Sequence, residues 1–134
     1  MCLEVTVTLP RGEKSKLGGE EIAKVSGLSV KKYRTDDGKE AFHLSSGGGC
    51  SCDLLPQKFS WRSPTWRLIP ERLPSLTAAV SAIAARSRSF SFTARWLGPD
   101  RPDPSSKELS LESLIALIRQ NQVGNSVEYV VEAA

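Results

Sequence analysis

The sequence predicts an α+β fold: a mixed, mainly antiparallel sheet covered on one face by helices. Three observations predict it. Residues 3–9, 90–96 and 126–132 alternate apolar with polar side chains, and the apolar set is rich in β-branched and aromatic residues, as in half-buried strands. Asp36-Asp37-Gly38 stands between two extended runs and signals a tight hairpin. Residues 73–86 and 110–119 carry apolar side chains at spacings of three and four, the stripe of a helix lying on a core. A chain of 134 residues, 40% hydrophobic and 25% charged, suits one domain with its own core, so residues 1–134 are read as a single compact unit.

In chain order, Leu3, Val5, Val7 and Leu9 form the apolar side of the first strand, which Pro10 ends. After the polar run 11–17, Gly18-Gly19 leads into a short helix with Glu20 and Glu21 early, Lys24 late and Gly27 as a left-handed cap, the arrangement the helix dipole favours. The hairpin follows, with arms 28–35 and 39–46. A glycine loop carries two of the three cysteines, and an irregular segment with Phe59, Trp61 and Trp66 leads on to a helix starting near Pro70 or Pro74. Phe90, Phe92, Ala94 and Trp96 mark the next strand, and residues 98–106 read as a proline-rich mobile loop. Ser110 caps the last helix, Gly124-Asn125 stops it, and Val127, Tyr129 and Val131 belong to the last strand. The order is β-α-β-β-α-β-α-β. Its first six elements resemble the ferredoxin-like order, extended by one helix and one strand; such a resemblance concerns architecture and not activity.

The chain lacks the basic start and apolar stretch of a secretory signal, and its longest uncharged apolar run, 76–85, is too short to cross a bilayer. Three cysteines, two of them nearly adjacent, make a poor disulfide framework and point to reduced thiols in the cytoplasm. The net charge of +3 is uneven. Residues 58–101 hold eight basic and two acidic side chains, whereas 102–134 hold two and five. This balance permits an anionic partner without requiring nucleic acid.

Chemistry concentrates in Ser45-Ser46-Gly47-Gly48-Gly49-Cys50-Ser51-Cys52-Asp53. In an extended segment Cys50 and Cys52 would face one side, close enough to react together or to share a soft metal ion, beside glycine N–H groups that favour a thiolate. The bland reading is that two small side chains fill space at a hairpin exit. A metal would draw further ligands from Cys2 and His43, with Asp53 nearby, but no zinc spacing is present and no cofactor is called for. Catalysis is not indicated: His43 and Cys50 lack an orienting carboxylate, and the glycines lack the Gly-Lys-Ser/Thr ending of a phosphate loop.

Two other stretches suggest binding. In 58–72, Lys58, Arg62, Arg67 and Arg72 alternate with Phe59, Trp61 and Trp66, so that Trp61, Arg62, Trp66 and Arg67 are candidate partner-binding residues, against the simpler reading that the tryptophans plug the core. Ile22-Ala23-Lys24-Val25-Ser26-Gly27-Leu28-Ser29-Val30 resembles the turn of a helix-turn-helix, which over 22–34 implies DNA contact through Lys31, Lys32 and Arg34. Tyr33 replaces the usual smaller aliphatic residue and Asp36-Asp37-Gly38 would truncate the recognition helix, so 28–35 is read as a strand. The expectation is a non-catalytic protein-binding or assembly module with a protein or peptide partner, and a homodimer if the last strand pairs with a second copy. A thiol-redox or soft-metal protein using Cys50 and Cys52 is the alternative, and nucleic-acid binding comes third.

Overall fold

The computed structural model describes residues 2–13, 15–98 and 103–132. Strand β1 (Leu3–Thr8) pairs antiparallel on one side with β3 (Glu40–Ser45) and on the other with β4 (Ser89–Trp96). Beyond β3 lies the edge strand β2 (Ser29–Arg34), joined to it by the predicted hairpin, in which Gly38 takes a left-handed φ of 83°. Beyond β4 come β6 (Val127–Glu132), antiparallel to it, and the edge strand β5 (Ser105–Leu109), parallel to β6. The six strands therefore run β2-β3-β1-β4-β6-β5. Helix α1 (Gly19–Ser26) connects β1 to β2, and α2 (Leu73–Ala84) connects β3 to β4. Each crossover leaves one antiparallel strand between the two it joins, a split β-α-β unit. Helix α3 (Leu111–Arg119) then links the adjacent parallel pair β5 and β6.

The helices lie against one face. There Leu3, Val5, Val7, Phe42, Leu44, Phe90 and Phe92 meet Ile22, Leu76, Val80, Ile83, Leu114 and Ile118 in one core. Each of those large apolar side chains contributes at most about 1.5–3 kcal/mol on burial. The caps follow the sequence: Gly27 is left-handed with its N–H on the Ala23 carbonyl, and Ser110 Oγ accepts from Ser113 N–H. The other face is bare of helices. Glu4, Thr6, Thr8, Ser91, Thr93, Arg95 and Glu128 line an open cleft of about 490 Å³, with Arg95 paired to Glu4 at 3.0 Å. Burial and the Glu4 carboxylate push the Tyr33 phenol at its rim upward.

Two expectations change, the strand read over 28–35 is borne out, and Trp66 takes the simpler of its two readings. Ser105–Leu109 is a strand and not the end of a loop; its Ser-Ser-Lys-Glu-Leu sequence has little intrinsic β preference and owes its conformation to pairing with β6. Residues 99–102 of that proline-rich run lie outside the described residues. Strand β6 is bonded on both edges, so it offers no edge to a second copy. The run 29–34 is an edge strand, so the helix-turn-helix stretch has no second helix and Lys32 is tied to Glu40 and to the Ser15 and Leu17 carbonyls. Trp66 is a core residue, 1% exposed, whose Nε1–H donates to the Ala94 carbonyl at 2.9 Å.

Candidate metal centre

After β3 the chain leaves the sheet through the glycine loop, which is pinned rather than loose. Asp53 reaches back to accept from Ser46 N–H and Gly47 N–H, both at 2.7 Å. Gly48, at φ 93°, donates its N–H to Ser45 Oγ, and His43 Nε2 donates to the Gly49 carbonyl at 2.9 Å. Residues Ser51–Leu54 then form a 3-10 turn. Ser51, between the two thiols, is fully buried: its hydroxyl donates to the Leu44 carbonyl at 2.5 Å and accepts from Val5 N–H at 3.0 Å. That anchorage directs the flanking thiols to the first residues of β1.

Leu3 N–H donates to Cys52 Sγ at 3.1 Å, and Cys50 Sγ lies 3.3 Å from the Leu3 carbonyl. Cys52 N–H donates to Cys50 Sγ at 3.3 Å. One residue before Leu3, Cys2 completes the group, its carbonyl held by Leu97 N–H at 2.8 Å. All three sulfurs lie within 4.8 Å of one another, with Cys50 and Cys52 only 2.9 Å apart, and all three residues are half-buried. The cysteines meet because a tight turn folds them together, not because alternate residues of an extended segment share a side.

The thiols are unequal. Burial pushes the Cys50 thiol up, but hydrogen bonds from the Cys52 and Cys2 thiols and from Cys52 N–H outweigh it and hold it below the ordinary value. Cys2 is raised by that same bond to Cys50 and by partial burial. Burial, then the bond to Cys50, pushes Cys52 up to about 11. The group is built to carry its first negative charge on Cys50, with its neighbours as proton donors.

Of the metal ligands read from the sequence, the structure gathers Cys2, Cys50 and Cys52 and leaves His43 outside, bonded to Gly49. Asp53 is likewise committed to backbone N–H groups. Ser51 escaped the sequence reading, since nothing marks a serine between cysteines as buried. The four partner-binding candidates do not form one surface. Trp66 is internal, Trp61 stacks on Trp96 at 6.3 Å with 11° between the rings, and the Arg62 guanidinium covers Trp61 at 4.4 Å. Arg67 is exposed, as is Phe59, which tilts against Trp96. The indole faces a nucleic-acid base would stack on are thus used within the protein. No described helix is long and apolar enough to cross a membrane. No family model, curated protein or solved structure matches the chain, so its three-thiol site stands on its own geometry.

Proposed function

We propose that this chain is a soft-metal-binding thiol domain in which Cys2, Cys50 and Cys52 hold one ion. The observation that carries the reading is the gathering of three sulfurs from two distant segments within 4.8 Å. Metal–sulfur bonds of ~2.3 Å place the sulfurs of one metal site ~3.8–4.0 Å apart, so the Cys50–Cys52 pair needs to open by only about 1 Å. Backbone N–H groups already directed at Cys50 and Cys52 would offset thiolate charge, as outer-shell donors do in metal sites. The test is anaerobic purification without a polyhistidine tag, metal analysis, and titration of the reduced protein with thiophilic ions. One equivalent bound, and lost when Cys50 is replaced by serine, supports the reading; failure to bind any such ion sinks it.

A second reading, a redox dithiol, draws support from the 2.9 Å between Cys50 and Cys52 and from the depressed Cys50 thiol. Cys50 thiolate would attack a low-molecular-weight disulfide, releasing one thiolate, and a neighbouring thiol would then displace the second, so that two cysteine protons end on two released thiols. Reversible cycling with dithiothreitol tests it. Protein binding through the open edges of β2 and β5 is compatible with either chemistry.

A further inference from the structure

Building on the metal-site reading, we infer that the ion is monovalent copper held by three sulfurs, and that zinc is disfavoured. The argument is one of donor number. Among the described residues the group consists of Cys2, Cys50 and Cys52 and nothing else. Three side chains close in sequence could supply a fourth ligand, and each is already engaged: Glu4 is paired with Arg95 at 3.0 Å and lines the cleft on the open face, while His43 and Asp53 help to build the site. His43 Nε2 holds the Gly49 carbonyl, and the two Asp53 oxygens hold Ser46 N–H and Gly47 N–H. Turning either toward an ion releases the loop that sets Cys50 in place. Ser51, between the thiols, is committed to Val5 N–H and the Leu44 carbonyl.

A closed zinc site takes four protein ligands in a tetrahedron, and a three-ligand zinc site leaves a position for water. Monovalent copper is satisfied by few soft ligands, and thiolates select it over harder ions. The N–H bonds to Cys50 and Cys52 would disperse the larger negative charge that three thiolates leave around a monovalent ion. The half-exposure of all three cysteines leaves a route by which such an ion can enter as a complex with a small thiol.

The experiment loads the reduced 134-residue chain anaerobically with Zn(II), then adds Cu(I) as a thiol complex, with a parallel challenge by arsenite, another three-coordinate thiophile. X-ray absorption is read on the loaded protein. The expected result is loss of the zinc at one equivalent of Cu(I), retention of copper under arsenite, and a copper shell of sulfur only, the same in the unaltered chain and in His43→Gln. Zinc that resists Cu(I), or a nitrogen in the copper shell that His43→Gln removes, overturns the copper assignment while leaving the metal-site reading in place. Arsenite displacing copper overturns the choice of ion in the same way. If none of the three binds, both fall together.

Discussion

Ser51 donates its hydroxyl to the Leu44 carbonyl, and through that bond the end of β3 sets the position of both cysteines that flank the serine. The same oxygen accepts from Val5 N–H. Replacing Ser51 with alanine leaves a buried donor and a buried acceptor without this partner. The expected loss is about 1–3 kcal/mol, measured by urea unfolding at constant m value. Metal retention should weaken as well, because the turn that gathers the sulfurs loses its anchor.

Thiol reactivity should be graded. Cys50, the depressed thiol, should be the first alkylated at neutral pH in the folded protein, ahead of Cys2 and Cys52. Cys52→Ala removes a donor to Cys50, so the Cys50 value should rise and its labelling slow by about threefold per pKa unit gained, the loss of thiolate being partly offset by its greater nucleophilicity. Peptide-resolved mass spectrometry reads each site. Cys52 labelling fastest would contradict the assignment.

Metal affinity should climb with pH. Cys2 and Cys52 are both raised, Cys52 to about 11, so at neutral pH both carry protons that an incoming ion must displace. Lowering the pH adds competing protons, and raising it removes them. The protons on Cys2 and Cys52 alone, two released per ion, correspond to a rise of at least ~100-fold in apparent affinity per pH unit. Titrations at pH 6, 7 and 8 against a chelator of known pH dependence measure the slope, and a flat profile would rule out protonated ligands.

Asp53 should act through the loop rather than on the ion. Asp53→Ala frees the Ser46 and Gly47 amides, which should exchange hydrogen faster, at a cost of about 1–2 kcal/mol for two exposed charge-assisted bonds. Asp53→Asn keeps an acceptor oxygen and should recover part of that loss. Equal loss of bound metal in both variants, without faster exchange, would instead make the carboxylate a ligand.

The two central tryptophans should separate cleanly. Trp66→Ala opens a fully buried volume and breaks the bond to the Ala94 carbonyl, an expected loss of about 3–5 kcal/mol. Trp61→Ala removes a half-buried ring stacked on Trp96 and should cost about 0.5–1.5 kcal/mol beyond its buried area. Thermal or urea unfolding distinguishes the two.

These residues also show how far a sequence reaches. Period-two alternation at Leu3–Thr8 and Ser89–Trp96 and the Asp-Gly turn are local signals, so those strands and the hairpin were legible. Strand β5 was not, because its residues become a strand through a partner 22 positions along, as in Ser105 opposite Val127. The site was half legible. Cys50 and Cys52 announce themselves, but Cys2 joins them only through the register of β1 against β3, and composition says nothing about register. Trp61 and Trp66 look alike in sequence; which one enters the core depends on where the Ala94 carbonyl lies.

The stacked indoles of Trp61 and Trp96 have one more consequence. Trp96 precedes Leu97, whose N–H holds the Cys2 carbonyl, so the ring pair is two hydrogen-bonded residues away from a thiol of the cluster. Such a pair is an intrinsic optical probe: near-ultraviolet ellipticity and indole emission should report loading of the thiol group without any added label. The aromatic packing that withdraws Trp61 from base stacking makes it a spectroscopic witness to the chemistry beside it.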